Sequence, residues 1–139
     1  RKLPLSKGAQ VRTFIHELRE IAQRVESLNA PGFGSTAERL NASIDDLQAS
    51  TDWLLEAQAA GRVAQALAGA TPYQRLFGLV LTGAYLAKGA LVASEDGSGD
   101  KRVSLCRFAA ENMLSETAAL KDRVIGGAES LEAARIVLA

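Results

Sequence analysis

The chain is poor in the residues that carry redox, metal or disulfide chemistry: it has one cysteine, one histidine and three prolines among its 139 residues. A single cysteine excludes a disulfide within the chain and a cysteine-rich zinc site. Sixteen basic residues balance sixteen acidic ones, so no net charge attracts nucleic acid or an anionic membrane surface. With no disulfide framework, the sequence predicts a reducing, cytoplasmic location.

What the chain does contain points to helices. Hydrophobic residues make up 47% of it, much of that is alanine and leucine, and the β-branched residues never cluster into alternating runs. This composition predicts an all-α protein. The length suits one domain with a single core.

The apolar residues recur at alternating spacings of three and four, the period of helices packed along a bundle. The pattern predicts long helices over residues 9–29, 36–60, 71–94 and 101–125, with a polar loop at 95–100 in which Asp100 caps the fourth helix. A short turn at 62–68 and a last short helix at 128–137 complete the chain. The predicted fold is an antiparallel four-helix bundle with short additional helices. It occupies residues 9–139, and residues 1–8 read as a junction from a preceding folded domain.

Local signals mark the ends of these helices. Ser35 and Glu38 have the spacing of a capping box. Thr71 suits an N-cap and Pro72 the first helical position. The pair at 126–127, two glycines, predicts the C-terminal stop of the fourth helix.

Residues 71–91 are apolar on several sides of the predicted third helix. The uncharged run between Arg75 and Lys88 is shorter than the roughly 20 apolar residues of a membrane span. No strand precedes the glycines of this segment, which argues against a phosphate-binding loop. We expect instead a ridge that lets another helix approach closely. Its members are small: Gly83, Ala87, Ala90 and Ser94.

The residue types that usually carry catalysis have ordinary expected roles here. His16 lies beside the apolar stripe of its helix, so we expect it in solvent near Glu20. Cys106 lies on an apolar stripe and is expected to be a small buried side chain. Arg107 is the one neighbour that could lower its thiol pKa. The acidic residues of the second and fourth helices lack the histidines of a di-iron bundle. They are Asp45, Asp46, Asp52, Glu111 and Glu116.

Tyr73, Gln74 and Arg75 form the remaining candidate site. At a helix start, free backbone amides favour an anion, so these residues could contact a phosphate or a carboxylate. In the alternative interpretation, Arg75 pairs with a neighbouring domain and Tyr73 packs at the end of the bundle.

Three stretches together resemble a known family. They are residues 68–79 (AGATPYQRLFGL), 107–114 (RFAAENML) and 51–54 (TDWL). They are similar to the C-terminal helical domain in one branch of the acyl-CoA dehydrogenases, which includes the 3-methylmercaptopropionyl-CoA dehydrogenases. Residues 1–4 (RKLP) resemble the junction where the dehydrogenase core meets this domain.

The resemblance implies that the parent protein is an FAD-dependent enzyme that oxidises an acyl-CoA thioester to the enoyl-CoA. Its catalytic glutamate is expected in a Tyr-Glu-Gly motif upstream of the junction, and this chain does not contain that motif. We therefore expect the chain to bind no flavin or metal and not to be catalytic alone. Its expected partners are the dehydrogenase core, contacted through Tyr73, Gln74 and Arg75, and further copies of the parent. One alternative is a helical module that docks to a membrane or to a partner protein. Another is an independent bundle with its own small ligand, which requires a closed pocket with convergent polar groups.

Overall fold

The computed structural model describes residues 8–95 and 100–138, and in these residues every regular element is helical. The all-α prediction is confirmed. Two short 3-10 turns, Pro31–Phe33 and Leu114–Glu116, join the α-helices. The helices are α1 (Ala9–Leu28), α2 (Thr36–Ala59), α3 (Val63–Ala68), α4 (Ala70–Glu95), α5 (Asp100–Asn112) and α6 (Thr117–Leu138).

Contacts between distant residues show that the long helices run antiparallel. Along α1 and α2, Arg12 pairs with Asp52 and Arg19 pairs with Asp45. Gly83 of α4 lies against Leu114, and Gly69, just before α4, lies against Val124 and Leu54. The helices α5 and α6 therefore form one bent helical segment beside α4. The predicted four-helix bundle is confirmed, with this segment as its fourth helix.

The prediction of one unbroken helix over residues 101–125 is wrong, because the chain bends at Met113. The Asn112 side-chain amide donates to the Phe108 carbonyl at 2.9 Å, and the Thr117 hydroxyl lies 2.9 Å from the Leu114 carbonyl. Polar side chains that bond to nearby backbone in this way compete with regular helix. The bend buries Leu114 and leaves Met113 exposed. The spacing of three and four residues predicts the opposite, with Met113 on the buried side of the helix.

The predicted stop at the two glycines 126–127 is also wrong, since α6 continues through them to Leu138. A glycine ends a helix when it takes a left-handed conformation, and neither of these glycines has a positive φ. Helix-forming alanine, glutamate and leucine follow them, which favours continuation despite the cost of about 1 kcal/mol per glycine. The separate short helix predicted at 128–137 is therefore the second half of α6.

The starts of α2 and α4 differ from the predicted caps. Ser35 stands at the N-cap of α2 but makes no side-chain capping hydrogen bond, so the capping box is wrong. The Thr36 hydroxyl donates instead to the Phe33 carbonyl. Thr71 is not the N-cap of α4, because that helix already begins at Ala70, immediately after α3.

The core lies where the sequence periodicity predicts it. The predicted stripe of α2 is fully buried, and α4 contributes a second buried row. Gly8, at the start of α1, has a φ of 77° and a backbone that packs against Leu55. The rest of the predicted junction, residues 1–7, lies outside the described residues. The buried stripe of α2 is Leu40, Ile44, Leu47, Thr51 and Leu54.

Candidate functional site

Tyr73, the first residue of the predicted site, is part of the core. Its hydroxyl lies 2.7 Å from the Thr51 hydroxyl of α2. Thr51 already donates its proton to the Leu47 carbonyl at 2.8 Å, so Tyr73 is the donor between the two hydroxyls. Burial raises the pKa of Tyr73, and the bond to Thr51 offsets part of that increase. Tyr73 therefore joins α4 to α2 as a neutral side chain.

Gln74 and Arg75 lie on the surface. The Arg75 Nε donates to the Glu116 carboxylate at 2.8 Å, across 41 residues of sequence. This hydrogen bond lowers the pKa of Glu116 and raises the pKa of Arg75. The contact of this triplet with a dehydrogenase core stays a prediction, and Gln74 and Arg75 present the accessible atoms for it.

The start of α4 offers fewer free donors to an anion than the sequence suggested. The Tyr73 backbone N–H donates to the Gly69 carbonyl at 3.0 Å, because α3 leads almost directly into α4. The Nε of Arg75 is also engaged, by Glu116. The arrangement therefore favours internal pairing at this helix start over an anion site.

A second polar cluster joins α5 to the turn before α2. Arg107 Nε donates to Glu111 at 2.7 Å, and this bond lowers the pKa of Glu111, with the Ser35 backbone amide adding to the effect. Gly34 has a φ of 53°, and a β-carbon there would collide with the Arg107 and Glu111 side chains. Part of the RFAAENML stretch thus holds the chain at the start of α2.

The single cysteine and the single histidine take their expected places. Cys106 is buried, and burial raises its thiol pKa to about 11, with the nearby Thr36 hydroxyl partly offsetting the effect. The thiol is therefore protonated at neutral pH and is not an activated nucleophile. His16 is exposed and lies 3.2 Å from Glu20, as predicted.

The acidic residues of α2 pair with basic residues of other helices. Asp45 and Asp52 bind arginines of α1. Asp46 lies 3.6 Å from Lys121 and 2.8 Å from the Thr117 hydroxyl of α6. These carboxylates link helices in the bundle. In the described part of the chain, no three His, Cys, Asp or Glu side chains come together as a metal-binding group would require.

Apolar side chains are exposed on several helices, and two groups of them lie on α4 and α6. The first is the outer face of α4, which we define as Gly78, Tyr85 and Val92, one heptad apart. Tyr85 and Val92 are each 54% exposed, and a β-carbon on Gly78 would meet open space. The second region is the end of α6, where Leu131, Ile136, Val137 and Leu138 are exposed.

One helix in the described residues, Ala70–Ser94, is long and apolar enough to cross a membrane, with 44% of its most apolar window buried. Length and composition alone give weak evidence, because the central helix of a bundle meets the same criteria. This helix carries Arg75 and Lys88, and its inner side contributes to the core. That the chain avoids membranes stays a prediction.

The geometry defines an antiparallel helical bundle whose polar residues mainly link its own helices. Comparison with known families agrees, since residues 9–135 match the family model described as acetyl-CoA dehydrogenase C-terminal like. The chain belongs to this family of acyl-CoA dehydrogenase C-terminal domains. No curated protein and no solved structure matches the chain. The resemblance to the methylmercaptopropionyl-CoA branch stays a prediction.

Proposed function

We propose that this chain is the accessory C-terminal domain of an FAD-dependent acyl-CoA dehydrogenase of the cytoplasm. In this proposal the domain packs on the catalytic core or at an oligomer interface, and it does not catalyse the reaction. Its family membership supports the parent enzyme, and the three stretches of sequence described above support the methylmercaptopropionyl-CoA branch. The observation that carries the packing role is the exposed outer face of α4.

The parent reaction needs a flavin to accept a hydride and a carboxylate to remove a proton. In doubly-wound dinucleotide-binding folds the pyrophosphate lies at a helix start that follows a strand, and the described residues 8–95 and 100–138 form no strand, which supports a flavin site outside them. The groove between α3 and α6 contains Arg62 and Arg135, but Arg135 is bound there by Glu132 at 2.8 Å. We therefore place flavin, substrate and catalytic glutamate in another part of the parent.

The outer face of α4 suits contact with another protein surface. It presents an aromatic ring, a branched aliphatic side chain and a glycine on one side of a helix. Interfaces of this kind gain stability by removing such apolar area from water, at roughly 25 cal/mol per Å². Leu105 and Phe108 of α5 are also more than half exposed.

The test uses the full-length dehydrogenase that carries this domain, with Tyr85→Asp and Val92→Asp combined. We expect the variant to lose oligomeric mass in analytical ultracentrifugation, or to lower the melting temperature of the flavin-containing body. The same pair in the isolated 139-residue chain should leave its circular dichroism and melting temperature unchanged, because both side chains are exposed.

The matched control is Ala42→Asp with Ala49→Asp, an exposed pair with the same spacing on α2. This control should leave the parent unaltered. If the outer-face variant and the control behave alike in the full-length enzyme, the packing role is wrong.

A second candidate function is docking to a membrane or to a separate partner protein. It is favoured by the length and composition of Ala70–Ser94. It is disfavoured by the balanced charge, since surface-binding helices are usually basic on their polar side. Co-sedimentation of the chain with vesicles that contain anionic lipid decides the membrane form, and absence of binding removes it.

A further inference from the structure

The outer face of α4 has the residue spacing of a helix that packs along a second helix. Thr82 and Gly89 lie between its members, and with them the spacing from Gly78 to Val92 becomes four, three, four and three. Thr82 is exposed and Gly89 is half-buried. This alternation is typical of the seam between paired helices. The inner side of α4 already packs in the bundle, so the outer face suits an additional helix that runs along it.

A tyrosine and a threonine already join α4 to an antiparallel helix inside the bundle. Tyr73 donates to the Thr51 hydroxyl of α2, and Thr51 donates to the carbonyl four residues before it. On the outer face Thr82 makes the same backbone bond, to the Gly78 carbonyl at 2.8 Å. Its oxygen can therefore accept a hydrogen bond from a tyrosine. Tyr85, three residues further along this face, is more than half exposed.

Tyr85 and Thr82 match each other when two copies of α4 pack antiparallel. In the register that places Tyr85 opposite Thr82 of the second copy, two-fold symmetry forms their hydrogen bond twice. The same register places Gly78 opposite Gly89. A β-carbon on Gly78 would meet open space, and one on Gly89 would meet only the end of the exposed Arg102 side chain. Two facing glycines let helix axes approach closely, which brings the longer side chains into contact.

The charges beside the outer face also favour a second copy in this orientation. At the start of α4, Glu116 binds Arg75 and is still 38% exposed. Towards the end of α4, a guanidinium nitrogen of Arg102 lies 3.8 Å from a β-carbon built on Gly89. Both Arg102 and Glu116 belong to the bent helical segment beside α4. In the antiparallel pair, Arg102 of one copy therefore comes within about one helical turn of Glu116 of the other. A parallel pair would instead place the two Arg75 side chains opposite each other.

We propose that the outer face of α4 binds the same face of a second copy of this chain, antiparallel, with Tyr85 donating to Thr82 of the other copy. The inference rests on the packing role proposed above and names the partner of that face. One helix from each copy buries less area than a stable dimer needs. The isolated chain should therefore be a monomer at micromolar concentration and associate at millimolar concentration, while further contacts in the parent enzyme strengthen the pair.

The first test determines the orientation by NMR in a millimolar mixture of two forms of the chain. One form carries a nitroxide at Gln74→Cys and no ¹⁵N, and the other carries ¹⁵N and no nitroxide. Gln74 is exposed, whereas the native Cys106 is buried and should not be labelled. We expect broadening of the amide signals of residues 90–94, which lie opposite Gln74 in the antiparallel pair. Broadening near residue 74 instead, or no broadening, would overturn the proposal.

The second test removes the hydrogen bond that joins the two copies. Tyr85→Phe and Thr82→Val should each raise the dissociation constant about tenfold, because either change removes both symmetric bonds. The double variant should be no weaker than the single variants by more than a small factor. Thr13→Val is the matched control, since Thr13 is exposed on α1 and also donates to the carbonyl four residues before it. A dissociation constant in Tyr85→Phe equal to that of the control would contradict the proposed register.

The third test reverses a charge at the edge of the interface. Arg102→Glu should weaken association roughly threefold or more, because it places an acid near Glu116 of the other copy. Lys101→Glu changes the net charge equally at an exposed neighbouring position, and it should have a smaller effect. Equal effects of the two substitutions would contradict the antiparallel register.

The two proposals can fail separately. If Tyr85→Asp with Val92→Asp alters the full-length enzyme but the mixed chains show no broadening, the outer face packs on another surface of the parent. The inference of a second copy is then wrong and the packing role stands. Broadening between the isolated chains, with no effect of the same variant on the parent, would instead contradict the packing role.

Discussion

The inner and outer faces of α4 have similar composition and opposite environments. On the inner face, Leu76 and Val80 are completely buried, and Gly83 lies against Leu114. On the outer face, Gly78 and Val92 are open to solvent. Glycine and aliphatic residues occur on both faces, so residue type alone does not tell which face a neighbouring helix covers. The difference is made by the helices that pack on the inner face, namely α1, α2, α5 and α6, and most of these are distant from α4 in sequence.

The largest expected effect comes from removing an aliphatic side chain on each face. Leu76→Ala should lower the free energy of unfolding by about 2–5 kcal/mol, because it deletes buried methyl groups and leaves a cavity. Val92→Ala should change it by less than about 0.5 kcal/mol, as exposed substitutions usually do. Urea unfolding of the isolated chain, followed by circular dichroism, measures both values.

The control for this pair is the slope of the urea transition, which should be the same in both variants if each unfolds in two states. Equal losses of stability for Leu76→Ala and Val92→Ala would show that the two faces are covered alike. The difference described here between the inner and outer faces would then be wrong.

A smaller effect, of opposite sign on the two faces, is expected from the glycines. A β-carbon at Gly83 would lie 3.0 Å from a methyl carbon of the buried Leu114, so Gly83→Ala should cost about 1–2 kcal/mol through overpacking. Gly78→Ala meets open space in the same helix and should stabilise the chain by up to about 1 kcal/mol. Thermal unfolding of both variants gives the signs. A stabilising Gly83→Ala would show that α5 and α6 do not need the close approach.

The periodicity predicted the buried faces well and the helix ends poorly. The stripe of α2 is buried as predicted because it depends on spacing alone. Leu114 is buried in place of Met113 because the helix bends there. The bend depends on Asn112 and Thr117, whose side chains bond to nearby carbonyls. The spacing of apolar residues contains no information on these polar side chains, so the pattern did not reveal this bend.

The candidate site shows the same limit. The pairing of Arg107 with Glu111 follows from a spacing of four residues on one helix. The pairing of Arg75 with Glu116 and the bond between Tyr73 and Thr51 join different helices. Such contacts need the three-dimensional arrangement, which a local pattern does not contain. Within the motif around Tyr73, the tyrosine serves the bundle itself, and the contact of Gln74 and Arg75 with a dehydrogenase core stays a prediction.

The smallest expected effect on stability concerns the start of α4, where Arg75 forms an exposed ion pair with Glu116. Because the pKa of Glu116 is lowered in the folded chain, the pair stabilises the fold above the ordinary glutamate pKa of 4.5. That contribution is lost as the pH falls through the lowered value.

A double-mutant cycle with Arg75→Gln and Glu116→Gln, measured at pH 7 and pH 3, isolates the interaction. We expect a small favourable coupling at pH 7 that is reduced at pH 3 and weakened by salt. Coupling that is near zero at both pH values would mean that the ion pair does not form in solution. Arg75, like the outer face of α4, would then have no internal contact, and it would be wholly available to a partner.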